Sequence, residues 1–313
     1  MAGIISPVDV NALFTSAQMK ALLVYNQYTP DFADLAQAIP STAQREAYVV
    51  TATAGALERL SEAKKHMGDQ IAKTLYVENA EPWAKFMEVS EQQIQLQTAI
   101  NWLDQQATAL GTEAAGLVDD LVTAGLQAGS STAWIDGVNF FSATHPINPW
   151  GAVVGNWSNL RTGFGLTPTN FETVWADISG RLGWNNRPLK IRGQMQLWLP
   201  TARVSAGKRI VEQAMSSDPG VTTAGGNNNI NFGRAVIKHC PSLDDEPTVW
   251  YAALVGQSQK PVGLQEWRGL RFENEFDSAQ SKGRFEDEKY RSKVSRGLEF
   301  VPLNAHLIIR CET

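Results

Sequence analysis

One stretch constrains the fold more than any other. Between residues 91 and 127, Leu96, Ile100, Leu103, Ala107, Leu110, Ala114, Leu117 and Leu121 recur at steps of four and three in turn. That spacing predicts a long helix with a single apolar stripe. The stripe includes two alanines and the opposite face is poor in charge, so packing on a sheet is favoured over a coiled coil. Gly111 and Gly116 are the expected kink points.

What flanks the helix is less regular. Residues 7–25 read as a shorter helix, with Ser6 as cap, Pro7 in the first turn and Val10, Leu13, Phe14, Ala17 and Ala21 on one face. Periodicity then fades through Pro30 and Pro40, so this helix reads as part of an arm and not of a core. Residues 45–57 and 74–90 have strand-like content around a charged stretch, 58–73, and predict a long hairpin. Its tip is too polar to build a core, so the hairpin must lie on something else.

Residues 129–170 carry only Asp136 and Arg161 as charges, with six Gly, three Pro and Trp134, Trp150 and Trp157. Aromatics at that density predict an ordered loop region. An α/β unit follows: a helix at 169–183 capped by Thr169 or Asn170, a strand at 195–199, a helix from Ala202 to Met215, a Gly/Asn/Ser-rich tip at 216–229, and strands at 230–239 and 248–255. Residues 271–296 hold 13 charged residues of both signs and read as a solvated hairpin. An apolar strand from Ala305 to Cys311 closes the chain, and no internal repeat is visible.

Composition removes several classes of function. No apolar run in the 313 residues approaches the ~20 needed to span a bilayer. The first lysine is Lys20 and Ala2 stands where myristoylation needs glycine, so neither a secretory signal nor that lipid is expected. Cys240 and Cys311 predict two buried thiols in a reducing compartment. A net charge of −5 argues against tight nucleic-acid binding by the chain as a whole. Yet charged residues are only 19% beside 10 Trp, 12 Phe and 6 Tyr, which hints at surface covered in the working state. Residues 1–160 carry 7 basic against 16 acidic residues, net −9, and the remainder carries +4, as if acidic and basic faces of neighbouring copies met.

Catalytic chemistry is not apparent. His66, His145, His239 and His306 lack partners at metal-ligand spacing, and His239 and Cys240 should point to opposite faces of a strand. The acidic clusters 119–120, 244–246 and 286–288 lack calcium-loop spacing and read as solvated. Ala206-Gly207-Lys208-Arg209 lacks the upstream glycine and the Ser/Thr after lysine of a phosphate loop, and no strand–turn–helix dinucleotide pattern surrounds Gly163-Phe164-Gly165. Asp136, Ser142 and His145 are of triad type, but no nucleophile elbow surrounds the serine, so a hydrolase using Ser142 and His145 is a remote alternative. No catalytic, cofactor-binding or metal-binding residue is assigned, and no cofactor is expected.

The order of elements, together with three stretches, resembles a known family. The stretches are Asp136-Gly137-Val138-Asn139-Phe140-Phe141 ending in His145-Pro146; Arg187-Pro188-Leu189 before an apolar strand, a proline and a helix with Ala206 and Ile210; and Trp250, then Lys260-Pro261 and Gln265-Glu266-Trp267-Arg268. They resemble the Mu-type major head subunit (major capsid protein) family of tailed bacteriophages. The family's aromatic-rich C-terminal stretch is replaced here by Leu307-Ile308-Ile309-Arg310-Cys311, and the Asn/Gly-rich 225–229 is this sequence's own.

The resemblance implies an α+β chain of Hong Kong 97-type fold. It would divide into an N-terminal arm (1–44), an extended loop (45–90), a peripheral domain with the spine helix (91–164), an axial domain (165–258) and a return to the peripheral domain (259–313). The implied function is a shell of hexamers and pentamers of itself, enclosing double-stranded DNA through non-specific contacts. A scaffolding protein, a portal and a decoration protein would be partners, with no membrane; assembly would occur in the host cytoplasm and the product would be the virion. An encapsulin-like compartment is the alternative. Inter-subunit contacts would fall at Arg59, Glu62, Lys64, Lys65, Lys73, Asp218, Asn228, Lys282, Arg284, Glu286 and Lys289.

Overall fold

A computed structural model describes residues 7–53, 71–77, 81–96, 99–149, 155–183, 188–189, 193–215, 228–256, 260–275 and 289–313. In chain order the elements are α1 (Pro7–Gln27), β1 (Ala36–Pro40), β2 (Glu46–Thr53), β3 (Ile71–Val77), β4 (Pro82–Ser90), α2 (Glu91–Gln95) and α3 (Ala99–Ala128). The short strands β5 (His145–Pro146), β6 (Asn156–Trp157) and β7 (Leu160–Arg161) follow, then α4 (Pro168–Ser179), β8 (Gln194–Leu199), α5 (Thr201–Val211) and β9 (Ala235–His239). The chain ends with β10 (Val249–Val255), β11 (Val262–Asn274), β12 (Lys289–Pro302) and β13 (Ile308–Glu312).

Two main sheets organise these elements. The first has the order β1-β11-β12-β4, and α3 and α1 pack over it. The second has the order β7-β13-β10-β8-β9. Strand β10 shows why the second sheet is buried on both faces. Its seven residues, Val-Trp-Tyr-Ala-Ala-Leu-Val, are all apolar and all buried. Alternation sends Val249, Tyr251, Ala253 and Val255 into one core with Val122, Leu126, Phe140 and Phe141. It sends Trp250, Ala252 and Leu254 into another, under Phe171, Val174 and Ile178 of α4 and Ile210 and Val211 of α5. A continuous apolar run is what a strand covered on both sides requires.

Several expectations change here. The N-terminal helix is a core element: Val10, Phe14, Ala17 and Ala21 are buried against Leu103, Ala107 and Leu110 of α3 and against Met87, Val89, Tyr290 and Val294. The stretch after it, where periodicity fades, supplies β1 and the fully buried Phe32 and Leu35. The strand read over 74–90 is two strands with different partners, since β3 pairs with β2 while β4 pairs with β12. The closing strand β13 lies between β10 and β7, so residues 308–312 belong to the second sheet and not with β11 and β12. Ile308, Ile309 and Cys311 are fully buried, as a strand covered on both faces needs.

The spine is interrupted. Ser90 caps α2 in a capping box with Gln93, and Leu96 ends it. Helix α3 starts afresh at Ala99, so Leu96 and Ile100 fall outside the buried face, at 65% and 63% exposure. Leu103, Ala107 and Leu110 are buried as expected, after which the buried face drifts to Ala115, Asp119, Val122 and Leu126. Helix α4 begins one turn-position earlier than expected, with Thr167 as cap and Pro168 at the first position, where a fixed φ suits the helix.

Gly111 is a notch rather than a kink. It sits inside the continuous α3, and a Cβ there would stand 2.5 Å from the Ala21 carbonyl oxygen and 2.9 Å from the Val24 Cβ. Only glycine lets α1 approach so closely. Gly111→Ala is therefore expected to destabilise the subunit by about 1–3 kcal/mol in urea or thermal unfolding. Gly116→Ala, whose nearest neighbour would be the Tyr28 hydroxyl at 3.9 Å, is expected to stabilise it by about 0.5–1 kcal/mol. Equal effects at the two positions would contradict the notch.

Carboxylates read as solvated prove structural. Asp119 is 2% exposed and accepts from the Tyr28 hydroxyl at 2.7 Å and the Phe32 N–H at 3.2 Å, fixing the turn after α1. Asp244 accepts from the Thr201 N–H and hydroxyl at 2.6 and 2.7 Å, capping α5 where Pro200 offers no side-chain cap. Both cysteines are buried and unpaired with each other, and burial pushes their thiols well above the ordinary value.

Candidate assembly surfaces and the joint behind them

Among the described residues, strands β2 and β3 pair only with each other and join neither main sheet. A lone two-stranded ribbon is marginal in water. Exposed apolar side chains appear elsewhere: Met19, Leu22 and Leu23 on the outer face of α1, Leu96, Ile100 and Trp102 around the start of α3, and Trp83 and Phe86 on β4. Met215 and Phe232 are exposed beside the second sheet. Between β4, β12 and α3 runs an open groove of about 320 Å³, lined by Trp83, Ala84, Leu110, Ala114, Leu117 and Leu270 among others. Exposed apolar side chains grouped along one element, as on α1 and β4, mark candidate interaction sites.

The sequence-predicted contact residues divide three ways. Arg59, Glu62, Lys64, Lys65, Asp218, Lys282, Arg284 and Glu286 lie outside the described residues. Lys73 stands in β3 opposite Val50, and the exposed Asn228 bridges Met215. Lys289 is engaged within its own chain, 2.9 Å from Glu88, which also faces Arg291 at 3.4 Å. The Lys289 contact, ahead of Arg291, holds the Glu88 carboxyl below the usual range. Other charges of the β11–β12 ribbon also close on one another, as in Lys293–Glu273 at 2.6 Å and Arg296–Glu266 at 3.0 Å. Exposed pairs of this sort contribute about 0–1 kcal/mol each.

Sequence reasoning missed the apolar surface residues. On α1 the signal existed: Met19, Leu22 and Leu23 lie off the stripe, and a helix apolar on two faces needs two partners.

Behind these surfaces, the Gly/Trp-rich region forms a buried polar joint. His145 is fully buried; its Nδ1 is 2.7 Å from Asp136 Oδ2 and its Nε2 is 2.9 Å from Asn159 Oδ1. Asn159 in turn donates to the carbonyls of Phe140 and Ala305 at 2.7 and 3.3 Å. Both imidazole nitrogens are thus occupied, which leaves none to activate Ser142, whose hydroxyl accepts from the Thr144 N–H at 3.1 Å. The rings of His145 and His306 stack on Trp157 at 4.2 and 4.3 Å. Burial, and then the neighbouring Arg181, holds the His306 imidazole well below its ordinary value. Among the described residues no group of three or more His, Cys, Asp or Glu could hold a metal, and no helix is long and apolar enough to cross a membrane.

A family model described as the Mu-like prophage major head subunit gpT matches residues 10–166. No curated protein sequence matches the chain. Among solved structures, the procapsid of bacteriophage JBD30 is similar over 99% of this chain and 76% of its own, at 18% identity and a TM-score of 0.57. The virus-like particle of Pyrococcus furiosus is similar over 96% and 99%, at 11% identity and a TM-score of 0.51. The Mycobacterium phage Patience structure covers 100% and 93%, at 13% identity and a TM-score of 0.50. Likeness at such identities speaks for the fold, and the fold is the Hong Kong 97 type expected from the order of elements.

Proposed function

The chain belongs to the Mu-like prophage major head subunit gpT family and is a major capsid protein, and from that premise we propose how it builds its shell. Copies close into an icosahedral head of hexamers and pentamers around double-stranded DNA, assembled in the host cytoplasm with a separate scaffolding protein and a portal, and then decorated. Within each subunit, residues 45–90 serve as the extended loop, projecting as the β2–β3 ribbon and rooted in the first sheet by β4, with 91–164 peripheral and 165–258 axial. Residues 259–307 return to the peripheral side before β13 crosses into the second sheet.

The observation that carries this reading is the β2–β3 ribbon, which joins no other strand among the described residues. A neighbouring subunit supplies the surface it lacks. Charges at Arg59, Glu62, Lys64 and Lys65 set the register of that contact, and apolar residues supply its strength through repetition over many copies. A net charge of −5 keeps affinity for DNA low, which suits a container that must be filled and emptied.

Purified protein, alone or with its scaffold, is expected to form closed particles in negative-stain electron microscopy. Persistent monomer across salt and scaffold conditions would overturn the proposal. Particles free of DNA that co-purify with an enzyme would move it to a cargo compartment. Phe86→Ser, at a residue 58% exposed, is expected to leave subunit unfolding within about 0.5 kcal/mol of the parent. The same variant should reduce particle yield several-fold, and an unchanged yield would remove β4 from the contact surface.

A further inference from the structure

Between the end of α4 and the β6–β7 segment lies a polar pocket of about 430 Å³. Trp157, Ser158, Arg161, Asp177 and Arg181 line it, with Ala176 exposed on the α4 side. The joint described above accounts for its shape but not for its charge.

Arg181 is 5% exposed. Its guanidinium donates to the carbonyls of Ala305, His306 and Ser158 at 3.0, 2.6 and 3.1 Å, and its charge lies 4.7 Å from the centre of the Trp157 ring. Carbonyl dipoles satisfy N–H groups without cancelling a full charge. Asp177, the one carboxylate among the described residues that line the pocket, is hydrogen-bonded to Arg161. Two guanidinium groups therefore share one carboxylate, leaving a net charge of +1 among the described lining residues. Burial pulls the Arg181 guanidinium down to about 9, and the nearby Asp177 carboxylate offsets only part of that. Three lining residues also carry buried N–H groups with no partner among the described residues: Trp157 Nε1, Arg161 Nε and Arg181 Nε. An unbalanced positive charge lining a cavity is relieved by an anionic ligand.

We propose that this pocket binds a small oxyanion, a carboxylate or phosphate group held by Arg161 and Arg181 with Trp157 at its side. The chemistry is indifferent to the source, which is either a free anion or an acidic side chain of a second copy. Forked guanidinium donors suit both.

The test is thermal unfolding of the purified protein in inorganic phosphate against chloride at matched ionic strength. The midpoint is expected to rise by about 2 °C at a tenfold excess of phosphate over its dissociation constant. Arg161→Gln should abolish the rise; Arg181→Met should as well, but it also removes a donor from four carbonyls, that of Ile308 among them, and can fail to fold. Ala176→Glu places a carboxylate at the rim, so it should raise the midpoint without phosphate and remove the response to it. No phosphate effect in the parent, or an equal effect in Arg161→Gln and Ala176→Glu, would overturn the site. Assembled particles separate the sources: a response kept in particles indicates a free anion, and one lost there indicates a neighbour's carboxylate. The measurement on unassembled subunits stands whether or not particles form, so failure of the pocket and failure of assembly are read apart.

Discussion

Replacing Arg310 by alanine is expected to lower the unfolding free energy of the subunit by about 3–5 kcal/mol, among the largest single-residue losses in the molecule. Arg310 is 6% exposed and holds three parts of the fold at once. From β13 it donates to the Leu126 and Gln127 carbonyls at 3.1 and 3.0 Å, which are among the last of α3. A helix end leaves four carbonyls without partners inside the helix, and a cation there also opposes the negative end of its dipole. The same guanidinium meets Glu246 at 3.1 Å and Glu312 at 2.6 Å and lies over the Tyr251 ring. Burial works against its charge, but Tyr251, Glu246 and Glu312 outweigh burial and hold it above its ordinary value. Alanine would strand two carbonyls and two carboxylates together. Lysine keeps the charge but cannot fork between them, so Arg310→Lys should recover only part of the loss. Denaturant unfolding of both variants measures this, and a loss under about 1 kcal/mol for alanine would show that α3 is held by packing alone.

That arginine also marks the limit of what the sequence discloses. Helical and strand faces were legible because side-chain period follows backbone geometry. Val10, Phe14, Ala17 and Ala21 were placed on one face of α1 and are all buried, and residues 248–255 read as the strand that became β10. What covers a face is not written in its period. The helix read as part of an arm is sealed against α3 at Gly111, and the stripe on the spine lost Leu96 and Ile100 because the helix restarts at Ala99. Phe32 and Leu35 were invisible because Asp119, distant in sequence, fixes their turn. Arg181 is a lone basic residue whose hydrogen-bond partners are backbone carbonyls, Arg310 splits its bonds between carbonyls and carboxylates, and a carbonyl has no letter. The family resemblance was legible for a different reason: it rested on the order of elements, which survives when individual contacts change.

Phe14→Ala carries the sharpest consequence of the corrected reading of α1. Phe14 is fully buried, in a cluster with Leu103, Ala107, Leu110, Met87 and Tyr290. Truncation removes the ring's transfer free energy and leaves a void between α1, α3 and the first sheet. A loss of about 3–5 kcal/mol is expected, read as a lower unfolding midpoint of the unassembled subunit. An arm that packs only on neighbouring copies predicts the opposite, unchanged subunit stability with impaired assembly. Leu23→Ser provides the contrast. Leu23 is 56% exposed on the other side of the same helix, so the change should move subunit stability by no more than about 0.5 kcal/mol. If the outer face of α1 is one of the covered surfaces, Leu23→Ser lowers particle yield while Phe14→Ala lowers subunit stability, and the two faces of one helix separate folding from assembly. Should both variants unfold alike, α1 would be buried all round within a single subunit, and its outer leucines would be removed from the assembly surface.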